Sequence, residues 1–254
     1  MERKWLVLSA VGVGTFVAAL SASIINIVLP VVSREFRADI SEIEWVVTIN
    51  LLIVSGLLLS FGRLGDLRGH KAVYLVGFIV FASASPVCGL AQNVGMLIAA
   101  RAVQAVGAAM LLANSAAILT KNFPPAQRGQ ALGLQGMMTY LGLTTGPSLG
   151  GWITTQFSWR AAFFLAIPVA LVALVLTARF VPRDAPNEEA EPFDVPGALC
   201  FMLGLVLLLL ALNQGSTLGW TSPIILALFG VAGIAVAIFV WIELRVLSLY
   251  SRVE

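Results

Sequence analysis

Polar side chains that could take part in chemistry are rare in this sequence, and two of them lie close together inside an apolar run. Arg101 and Gln104 are three residues apart, so a helix would place both on the same face. An arginine inside an apolar run usually faces the interior of a helix bundle, because exposing its charge to lipid is costly. The pair therefore predicts hydrogen-bond donors facing a central cavity, although the position of Arg101 also allows its charge to reach the outer membrane surface. Further candidates for the cavity lining are Ser21, Asn26 and Asn50.

A second polar cluster, GRLGDLRGHK at residues 62–71, connects two apolar runs. Its three glycines would allow a tight turn with positive φ and close backbone approach. Asp66 could accept hydrogen bonds from backbone amides at the start of the next helix, or pair with Arg63 or Arg68. By itself, this pattern is also typical of an ordinary basic loop on the cytoplasmic side of a membrane protein.

A third group is the run of small residues in GLTTGPSLGG, residues 142–151. Gly142, Gly146 and Gly150 repeat every four residues and would share one helix face, which lets another helix approach closely. Pro147 would interrupt the backbone hydrogen bonds of that helix and could shape a bend. The run therefore predicts close helix packing, a bend that matters for gating, or both.

Enzymatic chemistry and cofactors are not expected. The sequence has no metal-ligand cluster, no Walker-type phosphate loop and no nucleophile–base constellation. Cys88 and Cys200 lie in apolar runs and are expected to be small buried hydrophobes. None of the 13 acidic residues lies deep in an apolar run, and His70, in the cluster at 62–71, is expected to be a poor substitute for a buried carboxylate in proton coupling.

The elements that must position these residues are membrane-spanning helices. The 254 residues are 59% hydrophobic and only 11% charged, with a mean hydropathy of +0.96, which leaves too little charge to cover a water-facing surface. Continuous apolar runs of about 20 residues indicate helices rather than the alternating strands of a membrane β-barrel. The predicted fold class is an all-α integral membrane protein with eight spans, at residues 5–30, 44–62, 72–92, 96–120, 130–153, 160–181, 195–213 and 222–243.

The distribution of Lys and Arg predicts the orientation of these spans. With the N-terminus in the cytoplasm, eleven basic residues fall in cytoplasmic segments and only two, Arg34 and Arg37, in outer loops. Basic residues favour the cytoplasmic side, so we expect a multi-pass protein of the inner (plasma) membrane with both termini cytoplasmic. The net charge of +2 is too small to indicate a nucleic-acid partner.

The cluster at 62–71 resembles the signature loop between helices 2 and 3 of the major facilitator superfamily. The positions that carry this resemblance, and that it implies form a conformational latch, are Gly62, Asp66, Arg68, Gly69 and Lys71. LIAARAVQAVGAAM, residues 97–110, resembles the fourth-helix motif of the family, with Ala105 where a glycine is usual. The fifth-helix motif of antiporters is similar to GLTTGPSLGG, and the matching residues are Gly142, Gly146, Pro147, Gly150 and Gly151.

The two ends of the sequence add to this resemblance. LSASIINIVLP, residues 20–30, resembles the first-helix motif of drug exporters, with Ser21 where an aspartate is usual. FDVPGALCF and NQGSTLGWTSP resemble the inserted helix pair of the fourteen-helix drug:proton antiporters. The resemblance implies a six-helix N-terminal transporter domain at 1–181, a cytoplasmic linker at 182–194, and an inserted transmembrane helix pair with a cytoplasmic tail at 195–254, without the C-terminal six-helix domain.

The implied function is transmembrane transport, as efflux of small amphipathic compounds by alternating access, with this chain as half of a transporter. The expected partners are the lipid bilayer, a small-molecule substrate, and a second copy, a separate C-terminal half or another membrane complex. Proton coupling stays open because no carboxylate lies deep in a span. The alternative is a half-length, non-transporting membrane subunit that packs on or scaffolds another complex, which the retained motifs disfavour.

Overall fold

A computed structural model of the chain describes residues 2–184 and 195–250. These residues form eight long helices and one short 3₁₀ turn, Pro125–Gln127, and contain no strand. The helices are α1 (Arg3–Phe36), α2 (Ile40–Arg68), α3 (His70–Gly89), α4 (Val94–Asn122), α5 (Arg128–Gln156), α6 (Trp159–Phe180), α7 (Val195–Leu218) and α8 (Pro223–Tyr250). The predicted all-α fold is therefore confirmed, and the linker predicted at 182–194 lies outside the described residues from position 185 onward.

Seven of the eight described helices are long and apolar enough to cross a membrane, and α5 is the exception. Glycine and threonine lower the hydropathy of α5, yet this helix lies alongside α1 and runs in the same direction. Gly12 of α1 faces Met138, and Ile24 of α1 faces Gly150. The two helices therefore stay in contact over about 18 Å of their length, which supports the predicted span in this part of the chain.

The remaining helices pack mainly as antiparallel neighbours. The start of α3 lies beside the end of α6, and Gly89 near the end of α3 lies beside Phe164 near the start of α6. α7 and α8 form a hairpin in which the rings of Phe201 and Phe239 lie 5.2 Å apart. This hairpin packs on α2, where Gly56 leaves room for Met202. The described chain is thus a bundle of α1 to α6 with the hairpin placed against α2.

Two apolar clusters fill the bundle and leave a polar layer between them. One cluster is built around Tyr74, Phe78 and Leu111, and the other around Leu97 and Trp159. Along α3 and α4, the residues between the two clusters include polar side chains that are buried rather than exposed. The polar layer therefore lies inside the protein, away from lipid.

The predicted glycine-rich turn at 62–71 is shorter than the sequence suggested. α2 continues to Arg68 and α3 begins at His70, so the connection is Gly69 alone. Gly69 has φ +90°, whereas Gly62 and Gly65 lie inside α2 and need no positive φ. The prediction was wrong for these two glycines because a glycine at a helix end does not stop the helix while the next residues can continue it.

Candidate functional site

The polar layer contains a chain of hydrogen bonds that begins at Arg101. The Arg101 Nη1 atom donates to Gln104 Oε1 at 2.7 Å and to Ser21 Oγ at 3.4 Å. Gln104 Nε2 donates to Ser85 Oγ at 2.8 Å, and Ser85 Oγ donates to the Phe81 carbonyl at 2.7 Å. This chain, which we call the Arg101 network, joins α1, α3 and α4 and fixes the orientation of the Gln104 amide.

The guanidinium of Arg101 lies inside the bundle with 1% of the residue exposed, rather than at the outer membrane surface. Its Nε atom is buried and has no hydrogen-bond partner in the part of the chain that the structure describes. Among the same residues, none of the ion pairs neutralises this cation. A buried charge without a counter-ion is costly, so the site favours an acceptor or an anionic group that would complete it.

Helical geometry separates the five predicted lining residues into two groups. Ser21, Arg101 and Gln104 are brought together in the Arg101 network. Asn26, another candidate for the cavity lining, is exposed, because five residues along a helix turn a side chain by about 140° relative to Ser21. Asn50 is half-buried on α2, and no hydrogen bond joins it to the network among the described residues.

The four-residue glycine repeat of α5 is the surface that α1 contacts. A Cβ on Gly142 would meet the Phe16 carbonyl at 2.6 Å, one on Gly146 would meet Ser23, and one on Gly150 would meet Ile24. Gly151 points away and has no neighbour within 4 Å. The absence of a Cβ at the first three positions therefore lets the backbones of α1 and α5 approach each other.

Ser23 replaces a backbone hydrogen bond that α5 loses at Pro147. In an α-helix the carbonyl of Leu143 would accept from the N–H of residue 147, but proline has no N–H. The Ser23 hydroxyl on α1 donates to this Leu143 carbonyl at 2.7 Å instead. α5 stays helical through Pro147, and the Leu143 carbonyl is bonded to α1 rather than left unsatisfied in the membrane.

Sequence reasoning missed both Ser85 and Ser23. Each lies inside an apolar run, where a serine is small enough to pass as a packing residue. A signal for Ser23 was present in the sequence, because a proline inside a helix leaves a carbonyl that requires a donor. Ser85 has no comparable signal, since nothing in the sequence shows that the Gln104 amide of α4 would turn toward α3.

At the α2–α3 junction, Lys71 attaches the start of α3 to the end of α6. Its Nζ atom donates to the carbonyls of Ala178 at 2.8 Å and Val181 at 2.6 Å. Its backbone N–H donates to Asp184 Oδ2 at 3.3 Å, so the carboxylate at this helix start is Asp184 rather than the predicted Asp66. Asp184 follows α6 and was not assigned this position from the sequence.

Asp66 contacts His70 instead. Its Oδ1 atom lies 3.3 Å from His70 Nε2, one helical turn further along the chain. His70 was expected in an exposed loop, but it is the first residue of α3 and only 2% exposed. Its other ring nitrogen, Nδ1, lies 2.8 Å from Asn114 Oδ1 on α4. The latch residues of the resemblance therefore lie at a junction of three helices rather than in a solvated loop.

At the opposite end of the bundle, Glu35 joins α1 to α6. Its carboxylate accepts hydrogen bonds from Trp159 Nε1 at 2.6 Å and from Arg160 Nη1. Arg160 also donates to the carbonyl of Ala91, between α3 and α4, at 3.2 Å. These contacts connect three segments at the end of the bundle that lies away from Lys71.

Comparison with known proteins shows similarity to transporters. The sequence pattern described as Major Facilitator Superfamily matches residues 11–251. The riboflavin transporter RibZ of Clostridioides difficile is 38% identical over 90% of this chain and 51% of its own length. The multidrug resistance protein Stp of Mycobacterium tuberculosis is 35% identical over 96% of this chain and 45% of its own length. The puromycin resistance protein pur8 of Streptomyces alboniger is 34% identical over 96% of this chain and 48% of its own length.

The fold is also similar to solved transporter structures. The peptide transporter POT, solved in complex with sulfate as an E310Q mutant, superposes with a TM-score of 0.68 at 18% identity and covers 92% of this chain and 51% of that one. The human organic anion transporter MFSD10 gives a TM-score of 0.63 at 20% identity, and the match covers 82% of this chain and 55% of that one. The chain spans about half the length of the relatives it matches.

Proposed function

Because the chain belongs to the major facilitator superfamily, we propose that it acts in transmembrane transport, as the efflux of small amphipathic compounds by alternating access. The observation that carries this proposal is the Arg101 network, a buried cation with an unsatisfied Nε atom in an otherwise apolar bundle. An intramembrane charge of this kind marks a substrate or ion pathway by default. The relatives, which are named as a riboflavin transporter, a multidrug resistance protein and a puromycin resistance protein, agree with organic substrates of this class.

In this proposal, Ser21, Arg101 and Gln104 present hydrogen-bonding groups to the substrate. A ligand carbonyl, ring nitrogen or carboxylate would supply the acceptor that Arg101 Nε lacks within the described residues. Asn26, which is exposed, and Asn50, which is half-buried, would line the same pathway on the side where a second bundle packs. The apolar side chains around the network would accommodate the hydrophobic part of the compound.

The proposed moving parts are the two helix contacts described above. Gly142, Gly146, Pro147, Gly150 and Gly151 form the packing and gating segment of α5. Gly62, Asp66, Arg68, Gly69 and Lys71 form the latch. The latch is supported by the sharp reversal at Gly69 and by Lys71, which attaches α3 to the end of α6. Asp66, whose side chain is 51% exposed, is available for a contact with a second bundle.

We further propose the organisation and placement of the chain. Residues 1–181 form a six-helix transporter bundle, 182–194 a cytoplasmic linker, and 195–254 a helix pair with a cytoplasmic tail. The protein lies in the inner (plasma) membrane, and both of its termini are in the cytoplasm. The concentration of Lys and Arg in the predicted cytoplasmic segments supports this orientation. A second bundle completes the pathway, from further sequence of the same protein, from a separate C-terminal half, or from a second copy.

The test is efflux of riboflavin and puromycin from cells that produce the complete transporter, with variants at Arg101. We expect Arg101→Ala to reduce efflux by tenfold or more, because the charge that attracts the substrate is lost while a smaller apolar side chain is tolerated inside the bundle. Arg34→Ala is the matched control, since Arg34 is exposed at the end of α1.

Equal efflux by Arg101→Ala and the unmodified protein, at equal abundance in the membrane, would contradict the assignment of Arg101. If neither compound is exported by the unmodified protein, the same variants are compared in a wider set of organic dyes. Absence of efflux for that whole set would contradict the proposed function itself.

A further inference from the structure

His70 has a hydrogen-bond arrangement that its neighbours determine almost completely. Asn114 Nδ2 donates to the carbonyl of Phe61 at 3.1 Å and to that of Met110 at 2.9 Å. Both hydrogens of the Asn114 amide are therefore in use, and only its Oδ1 atom is left to face His70. At 2.8 Å from this acceptor, His70 Nδ1 must carry a hydrogen.

The second ring nitrogen then decides the charge of the imidazole. If His70 is neutral with its hydrogen on Nδ1, Nε2 presents a lone pair to the Asp66 carboxylate, and two acceptors face each other at 3.3 Å. If Nε2 is also protonated, it donates to Asp66 Oδ1, and the imidazolium is paired with a carboxylate. The geometry therefore fits the doubly protonated form of His70 better than the neutral form.

Space around the pair is restricted, which keeps the ring in this position. A Cβ on Gly65 would collide with both Asn114 Oδ1 and His70 Nδ1, so only glycine at this position of α2 permits their contact. Asn114 is fully buried and His70 is 2% exposed. The ring is consequently enclosed between Gly65 of α2 and Asn114 of α4.

The charged groups around this junction come from several elements. α4 faces His70 with Asn114, which is uncharged, and the nearest carboxylate is that of Asp66 on α2. Lys71 directs its Nζ atom to the end of α6 and its backbone N–H to Asp184. The other charges of the junction are Arg63 and Arg68 on α2, Arg3 on α1 and Arg183 after α6.

We propose that His70 is a proton-binding site, at which Nδ1 remains bonded to Asn114 and a proton binds reversibly at Nε2 to form an ion pair with Asp66. Proton uptake by the imidazole turns the α2–α3 contact from a repulsive one into an attractive one. The Asn114 contact holds the ring in place in both states. This site lies at the junction of α2, α3 and α4, apart from the Arg101 network, and does not depend on the proposed transport function.

Nitrogen NMR of the imidazole tests this proposal directly, because His70 is the only histidine of the chain. The full chain is labelled with ¹⁵N-histidine, purified without a histidine tag and placed in lipid nanodiscs. Spectra are recorded at intervals between about pH 8.5 and pH 5, and we expect Nδ1 to stay protonated throughout and Nε2 to gain a proton as the pH falls.

Two charge-removing variants on α2 then identify the partner. Asp66→Asn should reduce the fraction of His70 that carries a hydrogen on Nε2 at the acidic end of this series, because it removes the opposite charge beside the imidazolium. Glu42→Gln, which removes one charge from the exposed start of the same helix, should leave this fraction unchanged.

Three results would overturn the proposal. They are a neutral form that carries its hydrogen on Nε2, an imidazole that gains no proton at Nε2 across these spectra, and an Asp66→Asn variant that is protonated at Nε2 to the same extent as the unmodified chain. The first two are read from the unmodified protein, so the test does not depend on the folding of a variant. None of the three involves transport, so a failure here is distinct from a failure of the proposed function.

Discussion

At the scale of single residues, serine hydroxyls complete the networks that larger polar side chains begin. Ser85 accepts from Gln104 and donates to its own helix, so it determines where the Gln104 amide points and, through it, how Arg101 is held. A substitution at Ser85 leaves a buried amide hydrogen without an acceptor, at a cost of about 1–3 kcal/mol. Ser85 is therefore a positioning residue for Arg101 in the proposed pathway.

We expect Ser85→Ala to lower the transport rate several-fold and to lower the melting temperature of the purified protein. Ser83→Ala is the control, because Ser83 lies two residues away on α3, is exposed and bonds only to its own helix. Efflux and thermal unfolding are measured for both variants. If Ser83→Ala and Ser85→Ala behave alike, the hydrogen bond to Gln104 has no role in positioning the network.

At the scale of elements, α5 depends on α1 for both its packing and its hydrogen bonding. The two backbones approach along the glycine face, and Ser23 supplies the donor that Pro147 removes from α5. A Cβ added to Gly146 would meet Ser23 Cβ and Oγ at 2.6 Å, so it would separate the helices and disturb the Ser23 bond together. Overpacking of this kind costs about 1–3 kcal/mol.

We expect Gly146→Ala to destabilise the protein by this amount and to reduce transport, measured by thermal unfolding in detergent and by efflux. Gly133→Ala on the same helix is the matched control, because a Cβ on Gly133 would have no neighbour within 4 Å. Both substitutions add one methyl group and the same helix propensity. Equal stability of the two variants would show that α1 and α5 do not pack through this face in the membrane.

At the scale of the whole molecule, successive helices run in alternating directions, so each end of the bundle corresponds to one side of the membrane. Lys71, the end of α6 and Arg3 lie at one end, since Arg3 Nε donates to the Phe180 carbonyl. Glu35, Arg160 and Ala91 lie at the other. Most of the basic residues that the structure describes lie at the first end, which the proposed orientation places in the cytoplasm.

Cysteine labelling of intact cells with a membrane-impermeant reagent tests this orientation. In a Cys200→Ser background, we expect Gln92→Cys and Thr217→Cys to be labelled from outside, and Arg68→Cys to be labelled only after the cells are opened. Cys88 is buried and serves as an internal background control. Labelling of Arg68→Cys in sealed cells would show that every span has the opposite orientation to the one proposed.

The sequence by itself determined the features that depend on local rules. The sequence has too little charge to cover a water-facing surface, so most of the surface must face lipid. A backbone in lipid must satisfy its own hydrogen bonds, so runs of about 20 apolar residues must form helices. The four-residue repeat of Gly142, Gly146 and Gly150 identified a packing face without any knowledge of its partner. The motifs that resemble the major facilitator superfamily indicated the family that the comparisons then showed.

Only the tertiary structure decided which of these faces meet. Ser23 reaches the Leu143 carbonyl across 120 positions of sequence, and His70 reaches Asn114 across 44. Helical periodicity separates Ser21 and Asn26 by about 140° around α1, but only the packing of α1 against α4 decided that Ser21 is the one that contacts Arg101. Such pairings depend on the packing of whole helices against one another, which composition and periodicity along a single helix do not specify.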